Sequence, residues 1–178
     1  MRYTARLLLF ALTLSVAAPQ ERRGLRAPDV PYEPSTPEIV NGMLTLAHVG
    51  KRDVVYDLGC GDGRIVIEAA RKFGARGVGI DIDPVRIAEA KENARKAGVG
   101  RRVRFLNQDL FQSDFREATV VMLYLWPEVN LKLRPKLLRE LKPGTRVVSH
   151  SHTMGDWEAE KEIQVDGHRI FFWTIPRK

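Results

Sequence analysis

A chain of 178 residues that is 44% apolar and 29% charged has the make-up of a folded domain and length enough for one core. Its single cysteine, Cys60, excludes a disulfide scaffold, and no apolar run nears the ~20 residues that cross a bilayer as a helix. The formal charge is +7, but Arg2, Arg6, Arg22, Arg23 and Arg26 oppose only Glu21 before residue 29; more than half of the excess therefore lies outside the expected fold, and a nucleic-acid partner is not expected.

Residues 1–18 place Arg2 and Arg6 before an apolar run (7–16) and the small residues Ser15, Ala17 and Ala18 before Pro19. These are the parts of a secretory signal peptide, and they imply export or membrane association. The alternatives are an uncut tether and a helix packed on the domain. Residues 19–31, with Pro19, Pro28 and Pro31, read as a Pro/Arg-rich linker, and 32–178 as the domain.

Ser35 with Glu38 three residues on forms a capping box, and Pro37 suits a first turn, so a helix starts here with Ile39, Met43, Leu44 and Ala47 on one face. Residues 54–58 read as a strand and 64–73 as a helix. A second strand follows at 77–82, then a helix from Asp83-Pro84 to Gly98. Strands at 103–107 and 119–125 precede a helix over 128–141, which Pro135 is expected to kink or restart. A fifth strand spans 146–150. Two final strands, 162–165 and 168–175, flank Asp166-Gly167, a two-residue hairpin loop. Alternating strands and helices imply parallel pairing. The expected fold is α/β: a Rossmann-like, doubly wound, mostly parallel seven-stranded sheet ending in an antiparallel hairpin.

Between the first strand and its helix runs Asp57-Leu58-Gly59-Cys60-Gly61-Asp62-Gly63. Gly59 and Gly61 allow a tight turn and close approach of a ligand to the backbone. The spacing is G-x-G-x-G rather than the dinucleotide G-x-G-x-x-G, and Asp62 inside the loop would repel a pyrophosphate. A ligand with cationic groups would accept Asp57 and Asp62. Asp81, followed by Ile82, ends the second strand 18 residues after Gly63, near the ~20 expected of an acid on ribose hydroxyls. Asp109, followed by Leu110, comes after the third strand, where a carboxylate can accept from an exocyclic amine. Ribose, adenine and a positive, phosphate-free tail describe S-adenosyl-L-methionine. The alternative is an acid-capped turn with two acidic surface residues. Cys60 reads as a small residue between glycines.

Residues 32–175 resemble the class I S-adenosylmethionine-dependent methyltransferases: DLGCGDG resembles their first motif, GIDID the second and NQDLF the adenine-contacting segment. PYEPSTPEIV leading into DLGCGDGRIVIEAA, with YLWP and the late VVSHS and DW, resembles the small protein-lysine methyltransferases acting on mitochondrial carrier and ATP synthase proteins. That resemblance implies that Tyr32, Pro34 and Thr36 fold over the cofactor.

Tyr124 and Trp126 follow the fourth strand beside the expected methyl position. Either ring could face the cation through its π surface, and Tyr124 could accept a bond from an incoming amine; the alternative is that both pack the sheet edge. YLWP replaces the Asn/Asp-Pro-Pro-Tyr of many amide methyltransferases, which counts against an amide or base-amino acceptor. His150 and His152 read as loop histidines rather than metal ligands, and no metal is expected. The expected activity is N-methylation of a protein lysine. A small-molecule N- or O-methyltransferase and a non-catalytic cofactor-binding domain are the alternatives. Localisation stays open, because the N-terminus points to export and the methyl donor is a cytosolic compound.

Overall fold

The computed structural model describes residues 25–177, so the signal-like residues 1–18 lie outside it. Four helices, α1 (Pro37–Leu46), α2 (Arg64–Phe73), α3 (Pro84–Lys96) and α4 (Pro127–Glu140), alternate with strands β1 (Val54–Leu58), β2 (Arg76–Asp81), β3 (Val103–Asn107), β4 (Val120–Leu123) and β5 (Arg146–His150). A hairpin of β6 (Lys161–Val165) and β7 (His168–Thr174) closes the chain. The sheet order is β3-β2-β1-β4-β5-β7-β6, parallel from β3 through β5 and antiparallel for β7 against both β5 and β6.

The wholly buried β1 and β4 explain the run VVML and a VVYDL in which Asp57 is the one charged residue: each strand faces a core on both sides. One core joins α1, α2 and α3 to Val55, Met122, Val148 and Phe172. The other joins Val129, Leu133 and Leu137 of α4 to Tyr56, Leu58, Val121 and Trp173. Trp173 is fully buried and satisfies its indole N–H on the Trp157 carbonyl at 2.8 Å. Asp166 and Gly167, at φ 51° and 80°, take the left-handed conformations that a two-residue hairpin turn needs.

The local structure departs from the sequence reading at three places. The N-cap of α1 is Thr36, whose Oγ1 accepts from the Ile39 N–H at 3.3 Å, not Ser35. Pro37 holds Thr36 extended, so the helix begins one residue later than the capping box implies. β4 ends at Leu123, freeing Tyr124 from the sheet. α4 runs through Pro135 without a break. The donor lost there faces the Leu131 carbonyl, and Leu131 lies on the exposed side, where water can serve that oxygen. No described helix is long and apolar enough to cross a membrane.

Candidate active site

Chain order reverses between β1 and β4, and a cleft opens at the carboxyl ends of these strands, the place where open α/β sheets bind ligands. The cleft is partly open to solvent. The glycine loop forms its floor. Gly59 and Cys60 both donate to the Ile80 carbonyl (2.8 and 3.0 Å), which stitches the loop to β2. Asp81 finishes the fastening: Oδ2 accepts from Gly61 N at 2.8 Å and Oδ1 from Asp83 N at 2.9 Å. A carboxylate has about four lone-pair sites, so Asp81 keeps capacity for two further donors. Cys60 is buried, and its thiol is held well above its usual pKa by burial and by the Asp57 charge.

The two loop carboxylates differ. Asp62 works against partial burial, but the Arg64 guanidinium (Nε to Oδ1 2.9 Å, Nη2 to Oδ2 2.7 Å) more than offsets this and holds its pKa low. Asp57 is 2% exposed and receives no hydrogen bond or ion pair from any described residue. Burial, reinforced by the charges of Asp81 and Asp62, pushes its pKa up to about 8. An isolated buried carboxylate is costly to ionise. A bound cation would relieve that cost, so this floor suits a positively charged ligand and not a phosphate.

Residues 32–35 cross above the loop as a strap. The Tyr32 ring lies so close over Gly61, at φ +50°, that a Cβ there would come within 2.4 Å of it. Arg64 clamps the strap, donating to the Ser35 carbonyl at 2.7 Å and to the Tyr32 hydroxyl at 3.5 Å, while the Arg86 guanidinium sits 4.6 Å above the Tyr32 ring. Pro34, Ile82 and Leu110 also line the cleft. Asp109 lies just off its wall, gripped by Arg26 through two bonds (2.6 and 3.1 Å). Arg26, read as part of a linker from the sequence, thus reaches Asp109. Thr36 faces the hairpin instead of the cleft, donating to Asp166 at 3.4 Å besides capping α1.

Tyr124 lines the cleft, whereas Trp126, the N-cap of α4, is 49% exposed and is not part of the lining. Burial and the neighbouring Glu33 carboxylate push the Tyr124 hydroxyl up to about 12. Its ring packs on His150, with centroids 3.8 Å apart, and the stack continues to His152 at 6.4 Å. His150 is 1% exposed and exchanges a 2.9 Å hydrogen bond with Ser35 through Nδ1, while its Nε2 has no partner. Burial, with His168 and His152 nearby, lowers its pKa to about 4, so it is neutral at physiological pH. The sequence reading set His150 aside as a loop residue; only its register beside Tyr124 and the strap serine marks it. Arg64 and Glu33 were likewise missed, though each adjoins a motif residue. Among the described residues no group of His, Cys, Asp and Glu is arranged to hold a metal.

Comparison with known proteins gives the family. The family model for the ANTKMT methyltransferase domain matches residues 57–161. A protein-lysine N-methyltransferase of Saccharolobus islandicus is 44% identical over 153 residues, spanning 83% of this chain and 95% of its own length. The adenine nucleotide translocase lysine N-methyltransferase of Mus musculus is 32% identical over 147 residues, 82% of this chain but 63% of the relative. Among solved structures, an RNA methyltransferase from Salinibacter ruber in complex with S-adenosyl-L-homocysteine superposes with a TM-score of 0.81 at 53% identity, covering 82% of this chain and 95% of that one.

Proposed function

Because the chain belongs to the ANTKMT methyltransferase domain family, we propose that it transfers a methyl group from S-adenosyl-L-methionine to the Nζ atom of a protein lysine. The observation that carries the donor half is Asp57, a buried carboxylate without a protein cation, facing a cleft floored by glycine backbone. Bound S-adenosyl-L-methionine supplies an electrophilic methyl group whose leaving group departs as a neutral thioether.

The chain's residues then bind and align. Asp57 offsets the positive charge of the donor's tail, and Gly59 and Gly61 let that tail lie against backbone. Asp81 keeps two acceptor sites for ribose hydroxyls. Ile82 and Leu110 flank the adenine and Asp109 lies at its amino edge, while Tyr32 and Pro34 cover the donor, with Thr36 fixing the helix behind them. Asp62 acts through Arg64, as a strap fastener. The acceptor amine, with an ordinary pKa of ~10.4, must shed a proton before it can attack. Tyr124, held as a neutral phenol, offers its Oη to an N–H of that amine and turns the nitrogen lone pair to the methyl carbon. The faces of Tyr124 and Trp126 favour a cationic side chain at the mouth, by roughly 0.5–2 kcal/mol.

The lysine half rests on the Saccharolobus relative, which matches nearly end to end. The likeness to the Salinibacter RNA methyltransferase favours a second reading, an RNA acceptor. Against it stands the YLWP segment, which lacks the Asn/Asp-Pro-Pro-Tyr arrangement suited to base amino groups. Incubating the purified protein with isotope-labelled S-adenosyl-L-methionine, a lysine-bearing peptide library and total RNA separates them. Label should appear as methyllysine in acid hydrolysates; label confined to RNA would transfer the assignment to nucleic acid, and label in neither would exclude both readings.

A further inference from the structure

At the end of the sheet away from the cleft, the amino-terminal edge, basic side chains gather. Arg52 precedes β1, Arg76 opens β2, Arg101 and Arg102 precede β3, and Lys142 lies in the turn before β5; all are exposed. Adjacent strands stand about 4.8 Å apart, so these cations step across the edge at short intervals. The rest of the molecule treats its arginines differently. Among the described residues every other arginine has a carboxylate partner, Arg177 alone excepted, including Arg146 at this same edge, which pairs with Asp53. The guanidinium groups of Arg52, Arg76 and Arg101 have neither hydrogen bond nor ion pair with a described residue, and that of Arg102 reaches the Gly74 carbonyl at 3.1 Å. Arg104 and Arg116, beside them, are neutralised by Glu117 and Asp114.

Two shallow grooves meet at this edge, sharing Arg104 and Glu117 in their walls. Unpaired guanidinium groups across a groove match phosphate oxygens, which they can grip bidentately. Proteins that lie on a bilayer add apolar side chains that enter it. Among the described residues the large exposed apolar side chains are Leu25, Tyr32, Val85, Trp126 and Leu131, and none of them lines either groove. Nor does an exposed aromatic ring among the described residues line either groove as a platform for a base.

We propose that this edge is a docking surface for the phosphodiester backbone of a nucleic acid, bound without base recognition, leaving the methyl-transfer cleft free at the opposite end. The net charge of the sequence hides such a surface, because acidic residues elsewhere in the fold offset it. The inference does not depend on which acceptor the cleft methylates.

Fluorescence anisotropy of the full chain with a labelled 20-nucleotide single-stranded RNA of mixed sequence tests it. Binding should weaken with salt at a log–log slope near −3, as expected for about four phosphate contacts. The triple variant Arg52→Glu/Arg76→Glu/Arg101→Glu, which breaks no internal pair, should lose at least tenfold in affinity and keep its thermal unfolding midpoint. Arg71→Glu/Arg95→Glu/Arg169→Glu, with the same change of charge elsewhere, should lose less than threefold. Absence of RNA binding, equal losses in both variants, or loss in the first variant of binding to phosphatidylserine vesicles but not to RNA would each overturn the proposal.

Discussion

Asp57 turns a cost of folding into a means of recognition. Its pKa moves from an ordinary 3.8 to about 8 on folding, so between these values the folded chain binds a proton that the unfolded chain does not. The group's stabilising contribution is therefore full below pH ~4 and is lost as pH rises through about 8. A cationic ligand reverses the preference by favouring the carboxylate, so donor binding should release a proton below pH 8 and tighten as pH rises towards that value. Calorimetry in buffers of different ionisation enthalpy reads this directly. Asp57→Asn should abolish the proton release, weaken donor binding roughly ten- to a hundredfold, the equivalent of about 1.5–3 kcal/mol, and leave the ligand-free protein no less stable. Normal affinity in that variant would remove Asp57 from donor recognition. The loop acids were legible in the sequence as a set, but their division of labour was not. Asp62 is neutralised by a residue two positions along, and only the fold shows that Asp57 has no such partner.

At the scale of elements, the strap and the end of β5 are one device. Arg64 holds the strap to the glycine loop, and the Ser35–His150 hydrogen bond holds it to the sheet. Arg64→Met should speed donor dissociation in stopped-flow measurements while sparing the fold, since Arg64 is a surface clamp whose apolar stem methionine preserves. His150→Phe should keep the ring packed on Tyr124 but strand the buried Ser35 hydroxyl, lowering stability by about 1–3 kcal/mol in denaturant titrations. An unchanged unfolding midpoint would show that the bond contributes nothing. The sequence made the strap legible as a motif and its helix as a pattern. It misplaced the cap by one residue because two adjacent hydroxyls can fill the role; Pro37 favours Thr36, and the Ser35 hydroxyl is bonded instead to a histidine 115 positions away. Strand ends were misjudged for a similar reason: the apolar residues Tyr124 and Leu125 continue the β4 pattern, yet they turn away to build the cleft wall.

For the whole molecule, periodicity and turn residues carried most of the architecture, because the central strands are buried on both faces and every parallel crossover but β3 to β4 runs through a helix. What escaped the sequence was the placement of charge, which is a property of the assembled sheet: carboxylates collect at one end and unpaired guanidinium groups at the other. Donor-product binding should also be felt globally. S-adenosyl-L-homocysteine at a hundred times its dissociation constant should add about 2.7 kcal/mol, or roughly 5–11 °C in the unfolding midpoint of a domain this size. A scan without any shift would count against the cleft as a nucleoside site.

The Ser35–His150 bond joins the start of the first helix to the close of the fifth strand, so the roof of the pocket is fastened by a residue made late in synthesis. A nascent chain can complete β1, the glycine loop and Asp81 long before that histidine leaves the ribosome. Full fastening of the roof therefore arrives as a late event in biogenesis, and truncated translation products that end before β5 would carry the first two motifs and the Arg64 clamp but lack the bond that ties the strap to the sheet.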